Sequence, residues 1–432
     1  MDNLDISIEA LKKCFDSERM SFLIEKFSQI GRDEYGGVTR LAFSKEDLKA
    51  REEFIRILES DLHVTIRTDT LGNIFARREG RQPDLPIIMT GSHLDSVRNG
   101  GKFDGPAGIL SSFEAFRVMD YLGIETEHPY EIVVFTSEEP NTFGISTLGS
   151  RGVTGNLRKS DLEGLRDDQG NDLPGSLSFI GGDFNRIGDA VFKPGAVEYF
   201  VELHIEQMPY LEREKKDIGI VSGVTGIYRE RIDVKGIASH CGTTPMDERS
   251  DALCAASEII LALEAAARKE KGKAVATVGH ITVFPNSTNI TPGLVEMDVE
   301  IRSYYPDSIQ RIIAAVNSAL SVLQKERKVK IDEKVLYETQ PAAFSQVVRE
   351  AIRDSANSLG LRTKDLISMA GHDAAHMNRI CQSGMIFIPC KGGISHSPGE
   401  WTESENLVKG AECLLKTLLT LDNPLRLNVG VY

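Results

Sequence analysis

Four short runs, each built on a block of apolar residues, constrain this chain more than any other feature: LPIIMTGSH (85 to 93), YEIVVFTSEE (130 to 139), YFVELHIEQ (199 to 207) and MIFIPC (385 to 390). Each has the length of a strand and the composition of one buried on both faces. The helix-like ILSSFEAFRVMDYL separates the first from the second. Strand, helix, strand alternation of this kind predicts an α/β sheet covered by helices on its faces. An open sheet of that class takes its ligands just past the carboxyl ends of its strands, and these runs end in polar residues there.

Two amphipathic helices are predicted ahead of the sheet, from Ser7 to about Ser28 and over 43 to 61, the second capped by Ser44. HVTIRTDTLGNIFARRE alternates as a hairpin around Leu71-Gly72-Asn73. The chain changes character after the charged cluster Glu212 to Lys216. Residues 217 to 331 carry strand-like IGIVSGV, RERIDVKG, AVATVGHITVF and LVEMDVEIRS with two long helices, and predict an inserted α+β sandwich. At ~150 residues per domain, a chain of 432 residues holds two to three domains. The pattern favours two: 1–216 plus 332–432, interrupted by 217–331. VVREAIRDSANSLG and NLVKGAECLLKTLLTLD read as helices closing the first.

Charge excludes one class of partner. Lys and Arg number 50 against 64 Asp and Glu, a net −14, and no basic stripe offers itself to phosphates, so nucleic acid is not an expected partner. Six cysteines without a CxxC pair, behind a charged N-terminal stretch, predict reduced thiols in a cytoplasmic protein. No membrane span is expected, since a span needs ~20 apolar residues and even Leu253 to Ala267 is broken by Glu258 and Glu264.

The candidate chemistry lies at the ends of the apolar runs. GSHLDSV supplies His93 and Asp95, GGKFDGPAG supplies Asp104, TSEEP supplies Glu138 and Glu139, ELHIEQ supplies His204, and GISHSPGE supplies His396. Singly these residues are ordinary, as His63 and His128 are. Together, imidazole and carboxylate suit Zn²⁺, Mn²⁺, Co²⁺ or Ni²⁺. Three His and two carboxylates exceed the three protein ligands of one catalytic ion and fit two ions sharing a carboxylate. Asp95 is expected to accept a hydrogen bond from the His93 ring, fixing its tautomer. The remaining Glu of the Glu138-Glu139 pair is placed to take a proton from water. The glycine-rich loop at 99 to 108 lacks the Lys, the Ser/Thr and the spacing of a phosphate cradle.

GSHLDSV, GGKFDGPAG, SEEP, ELHIEQ, ASHCGTTPM, AGHDAAHM and GISHSPGE occur in that order. In this series, over roughly residues 20 to 422, the chain resembles the M20-type metallohydrolases, specifically the hydantoinase/carbamoylase branch of N-carbamoyl-L-amino acid hydrolases, allantoate amidohydrolases, ureidoglycolate amidohydrolases and β-ureidopropionases. The resemblance implies an α/β dimetal-hydrolase (phosphorylase/hydrolase-like) catalytic domain and a homodimer formed through the inserted domain, which also acts as a lid. It implies two divalent ions per subunit: Asp104 bridges, His93 and His204 hold one ion, and Glu139 and His396 hold the other. Glu138 is implied as general base, and His240 as a catalytic residue that reaches into the partner subunit's site. Gln207, His240, Asn289, Arg302 and the backbone at Gly371 are implied to bind substrate.

The residues themselves are compatible with those roles. A guanidinium such as Arg302 suits a carboxylate bidentately, and the Asn289 amide can donate to the same group. His372 and His376 stand four apart, but no Glu follows the first as in a zincin, so His372, like Asp95, is expected to support the site without holding an ion. Cys241 replaces the common Ala after the motif histidine, and EEPNTFGISTLGSRG departs from the EEGxRF form of many carbamoylases. That stretch and MIFIPCKGGISHSP look more like the ureidoglycolate amidohydrolase type. The expected activity is hydrolysis of the ureido (N-carbamoyl) C–N bond of a small carboxylate-bearing substrate, whether allantoate, an N-carbamoyl-L-amino acid or ureidoglycolate, with release of ammonia and carbon dioxide. Two other functions compete: an M20-type aminopeptidase or dipeptidase, and a non-catalytic dimer that binds ureido acids. Retention of Glu138 speaks against the second.

Overall fold

The structure is a computed structural model that describes residues 13–422. The part of the first predicted helix before residue 13 lies outside the described residues; from there the helix runs Ser17–Ser28, with the Asp16 carboxylate accepting the Glu18 N–H. Ser44 caps the next helix, Lys45–Asp61, by accepting the Asp47 N–H, and Asp47 returns the bond by accepting the Phe43 N–H.

The chain forms two compact units, one holding residues up to 222 and from 344 onward, the other 223–343. The larger unit begins with strands β1 (Thr65–Thr68), β2 (Ile74–Arg78), β3 (Ile87–His93), β4 (Tyr130–Phe135), β5 (Val197–Ile205) and β6 (Ile218–Val224). The smaller unit contains β7 (Gly226–Lys235), β8 (Ser239–His240), β9 (Ala274–Phe284), β10 (Ile290–Thr291), β11 (Leu294–Ser303), β12 (Lys330–Thr339) and β13 (Ala342–Ala343). The chain then returns to the larger unit with β14 (Thr363–Ser368) and β15 (Gln382–Ile388).

The larger sheet has the strand order β1-β2-β4-β3-β5-β15-β6-β13, with β14 also pairing β6. The four central strands β4, β3, β5 and β15 run parallel, while β2 and β6 flank them antiparallel. β3 and β4 are buried at every residue, which explains why they read as continuous apolar runs. The helices Pro106–Leu122 and Ser404–Asp422 share the core with that sheet through Ile109, Phe113, Phe116, Leu414 and Leu418. Because the four central strands are parallel, their carboxyl ends open on one side.

The smaller unit is a four-stranded antiparallel sheet, order β12-β7-β11-β9. Its core joins Ile232, Val234, Val295 and Met297 of the sheet to Ile259 and Leu263 of helix Ala252–Lys269 and to Ile312, Val316 and Leu320 of helix Pro306–Glu326. The other sheet face is an ion-pair ladder, Arg231 with Asp298 and Lys235 with Asp332, which keeps it wet. The bounds differ from the predicted 217 and 331 at both ends. IGIVSGV pairs with β15 through Ile220 and so belongs to the larger sheet, whereas β12 pairs with β7 along its length and belongs to the smaller one. Apolar content alone cannot say which sheet a strand joins.

Candidate metal centre

Donor side chains gather past the carboxyl ends of the parallel strands. His93 is the last residue of β3, and His204 the penultimate residue of β5. Glu138 and Glu139 follow β4 across Ser137, which takes a left-handed φ of 55° and turns the chain back over the strand end. His396, with φ 53°, sits in the loop after β15. Asp104 lies in the glycine-rich loop that opens helix Pro106–Leu122. Gly105 is required there: its φ is +81°, and a Cβ would stand 2.6 Å from the His93 ring.

Two donor groups result, sharing Asp104: His93, Asp104 and His204, and Asp104, Glu139 and His396, each with its ligand atoms within 4.8 Å of one another. Asp104 divides its oxygens between them. Oδ1 lies 3.5 Å from His93 Nε2 and 3.2 Å from His204 Nε2, while Oδ2 lies 3.6 Å from His396 Nε2. His396 Nε2 also stands 3.0 Å from Glu139 Oε1. Glu138 Oε2 is 3.9 Å from His93 Nε2.

The tautomers show what these groups are built to hold. His93 Nδ1 lies 2.9 Å from the Asp95 main-chain oxygen, and His204 Nδ1 lies 3.0 Å from that of Ile205. A carbonyl only accepts, so each Nδ1 carries a proton, and in the neutral ring each Nε2 lone pair faces the Asp104 carboxylate. Acceptors converging on acceptors in a buried site repel unless positive charge lies between them. Imidazole nitrogens and carboxylate oxygens are the donors that borderline divalent ions prefer.

Protonation answers the same demand. Burial disfavours charge on His93, yet Asp104, Glu138 and Asp95 hold its pKa well above the usual imidazole value; burial opposes His204 likewise, and Asp104 and Glu202 raise it. Asp104, despite its burial, is held well below the ordinary carboxylate range by His204 and His93. The hydrogen bond to Glu139 raises His396 to about 9. Burial pushes Glu138 well up, with Glu139, Asp373 and Asp95 adding to the rise and His93 opposing it. The cluster draws in protons where cations fit.

The surrounding shell corrects one expectation. The Asp95 carboxylate does not accept from His93: it stands 3.8 Å from Nδ1, and the main-chain oxygen takes that bond. The carboxylate instead accepts the N–H groups of Glu138 at 3.3 Å and Glu139 at 3.0 Å, because the turn after β4 presents two main-chain donors to it. His372 occupies the N-cap position of the short helix Asp373–Met377 without a side-chain cap bond; its Nε2 is 2.8 Å from Ser368 Oγ and its ring packs edge-on against His204 at 4.7 Å. Burial, reinforced by His204, keeps it neutral. Gln207, implied to bind substrate, donates from Nε2 to Asp104 Oδ2 at 2.7 Å, and its Oε1 is buried without a hydrogen-bond partner. Gly371 is exposed, with room around its Cα.

Ser395 and Glu400 were not singled out in the sequence, although both belong to the GISHSPGE stretch. Ser395 Oγ lies 2.7 Å from Asp104 Oδ2 and 2.9 Å from Glu400 Oε2. Burial and the Asp104 charge push Glu400 up to about 7. The available signal was their position, flanking a candidate ligand in a polar loop just past a buried strand.

His240, Asn289 and Arg302 lie in the smaller unit. The ribbon of β8 and β10 pairs His240 with Ile290, and the Cys241 N–H donates to the Asn289 carbonyl, so His240 and Asn289 are held side by side. The Gly242 N–H donates to His240 Nδ1 at 3.1 Å. Ser287 Oγ donates to Asn289 Oδ1 at 2.8 Å, turning the amide NH₂ outward. Arg302, near the end of β11, donates from Nε to Glu300 at 2.6 Å.

Residues 89–420 match peptidase family M20/M25/M40. The chain belongs to the M20 family. Among relatives of this M20 chain, the N-carbamoyl-L-amino acid amidohydrolase of Geobacillus stearothermophilus is 37% identical over 404 residues, covering 94% of this chain and 98% of the relative. The ureidoglycolate hydrolase of Arabidopsis thaliana is 33% identical over 413 residues, covering 94% and 87%. A crystal structure of an amidase of the hydantoinase/carbamoylase family from Burkholderia multivorans superposes with a TM-score of 0.85 at 33% identity, covering 94% of this chain and 97% of that one. The mixed α/β fold of this M20 chain is therefore that of its hydantoinase/carbamoylase relatives. No described helix is long and apolar enough to cross a membrane.

Proposed function

We propose that this M20 chain hydrolyses the terminal ureido (N-carbamoyl) C–N bond of a small carboxylate-bearing substrate. The convergence of two histidine Nε2 atoms on a shared, buried Asp104 carries the reading, because that arrangement calls for cations rather than for a nucleophilic side chain. Relatives named for N-carbamoyl amino acids and ureidoglycolate supply the substrate class. His93, His204 and Asp104 would hold one divalent ion, and Asp104, Glu139 and His396 the other. When bound, such ions polarise a carbonyl and make water acidic near neutral pH.

The chain's own residues then divide the work. Glu138, whose affinity for a proton is raised by burial, takes a proton from the water that attacks the carbamoyl carbon. The same carboxyl returns it to the leaving nitrogen as the C–N bond breaks, which yields ammonia and a carbamate that loses carbon dioxide to give the amine. Because Nδ1 accepts from Gly242, the His240 ring donates from Nε2, as an oxyanion on the tetrahedral carbon requires. Asn289, Arg302, Gln207 and the Gly371 backbone bind the substrate's polar groups and hold its carbamoyl end in place.

Homodimerisation through the smaller unit belongs to the same proposal, with His240 acting in the partner's site. Its support is the edge strand β9, which exposes Val275, Ile281 and Phe284, while the adjoining helix Ala252–Lys269 exposes Leu261. The deciding experiment is an ammonia-release panel on chelator-stripped and Mn²⁺-, Co²⁺- or Zn²⁺-reloaded protein, with allantoate, ureidoglycolate, N-carbamoyl-L-amino acids, N-carbamoyl-β-alanine and a dipeptide. Metal-dependent ammonia release from a ureido acid is expected. Full activity in metal-free protein, or turnover of the dipeptide alone, would overturn the proposal.

A further inference from the structure

Glu400 is 3% exposed, and its carboxylate is seated inside the glycine-rich loop. Oε1 accepts the N–H groups of Phe103 at 2.8 Å and Asp104 at 3.0 Å. The glycine at 101 exists for this seat: a Cβ there would fall 2.0 Å from Glu400 Cδ and Oε1, and Gly101 has no left-handed φ that would otherwise call for glycine. The loop that resembles a phosphate cradle is thus already filled by a carboxylate of the chain itself.

From that seat Glu400 is linked to the shared ligand. Ser395 Oγ stands between Glu400 Oε2 and Asp104 Oδ2, at 2.9 and 2.7 Å, and Gln207 Nε2 donates to the same Oδ2 at 2.7 Å. The terminal torsion of an aspartate is broad and two-fold, so nothing intrinsic to Asp104 decides which way its oxygens point. Here Ser395 and Gln207 both hold Oδ2, and Oδ1 faces His93 and His204.

We propose that Glu400, seated in the loop Gly101 to Asp104 and coupled to Asp104 through Ser395, is a positioning residue that holds the bridging carboxylate with Oδ2 toward Glu139 and His396 and Oδ1 toward the two histidines. The proposal rests on the two-ion reading given above. It makes the effect of losing Glu400 selective, since the disturbed oxygen is the one on the Glu139 and His396 side. Outer-shell partners of metal ligands act through such orientation.

The test is titration of chelator-stripped, full-length protein with Co²⁺ alone, followed by visible absorption and by competition with a chromophoric chelator, alongside melting of the metal-free protein. Ser395→Ala removes the link and leaves Glu400 in its seat; Gly101→Ala unseats Glu400 without touching a polar group. Each is expected to weaken one of two Co²⁺ binding steps by about 10- to 100-fold and to change the other less than about threefold. Glu400→Ala should do the same. Glu400→Gln, which still accepts from the loop and can donate to Ser395, should recover most of the lost affinity. Two wild-type steps that stay unchanged in folded Ser395→Ala and Gly101→Ala protein would overturn the proposal alone, as would a lowered melting temperature with both affinities intact, the mark of a mere loop staple. A wild-type chain that binds no Co²⁺ would overturn the two-ion reading and this proposal with it.

Discussion

Asp95→Asn separates the two carboxylates of the Glu138-Glu139 pair. In the wild-type chain one carboxylate, 1% exposed, accepts from the Glu139 N–H at 3.0 Å and from the Glu138 N–H at 3.3 Å. Asparagine keeps one acceptor and turns an NH₂ group toward the other N–H. The shorter contact retains the oxygen, so Glu138 loses the bond from its N–H while Glu139 keeps its own. A hydrogen bond to a charged acceptor contributes ~1.5–3 kcal/mol, and the longer contact belongs at the low end. About 1.5 kcal/mol corresponds to roughly tenfold. Turnover at saturating Mn²⁺, measured as ammonia release, should therefore fall about tenfold, with affinity for Co²⁺ changed less than about threefold. Asp95→Ala loses both bonds, about 3–6 kcal/mol, and should depress turnover and metal affinity together. Wild-type turnover in Asp95→Asn, or lost metal affinity with turnover intact, would refute the reasoning.

Gly105→Ala places a methyl group 2.6 Å from the His93 ring at a φ of +81°; a loss of at least about 1–3 kcal/mol is expected by thermal denaturation, with impaired metal binding. Dimers pairing His240→Ala in one subunit with Glu138→Ala in the other should regain activity in one of two sites, whereas uniformly inactive mixed dimers would sink the assignment of His240 to the partner's site. Glu53 is held at about 2 by hydrogen bonds from Arg56 and Lys26. Its folded pKa lies below the unfolded value of about 4.3, so its contribution is present above that pH and is lost as pH falls toward 2. The ion pairs are near the surface, so the contribution is below about 1 kcal/mol, and Glu53→Gln should narrow the stability difference between pH 6 and pH 3 by no more than that.

The sheet was legible because burial on both faces leaves a local trace: β3, β4, β5 and β15 each carry a block of apolar residues, as in Ile87–Met89, Ile132–Phe135 and Met385–Ile388. The candidate ligands were legible for a related reason, as His93 and His204 fall at the ends of their strands and Glu139 lies shortly past β4. The supporting shell left no such trace. Asp95 was assigned a bond that its main-chain oxygen makes, since a side chain's partner depends on which N–H groups a turn presents. Glu400 and Phe103 are 297 positions apart, and no spacing rule reaches that far. The composition of IGIVSGV suits either sheet, and its pairing with β15 is what assigns it to the larger one.

The position of β15 has a consequence for the order in which the protein is made. It enters the sheet between β5 and β6, although more than 150 residues of chain separate it from either. The smaller unit is continuous in sequence and, like other domains, can fold as soon as it leaves the ribosome. The larger unit cannot: until residue 388 emerges, β5 and β6 wait with unpaired edges, and His396 is still to come. A nascent chain stalled within that interval would expose two apolar strands with a gap between them, so chaperone dependence during synthesis should concentrate there.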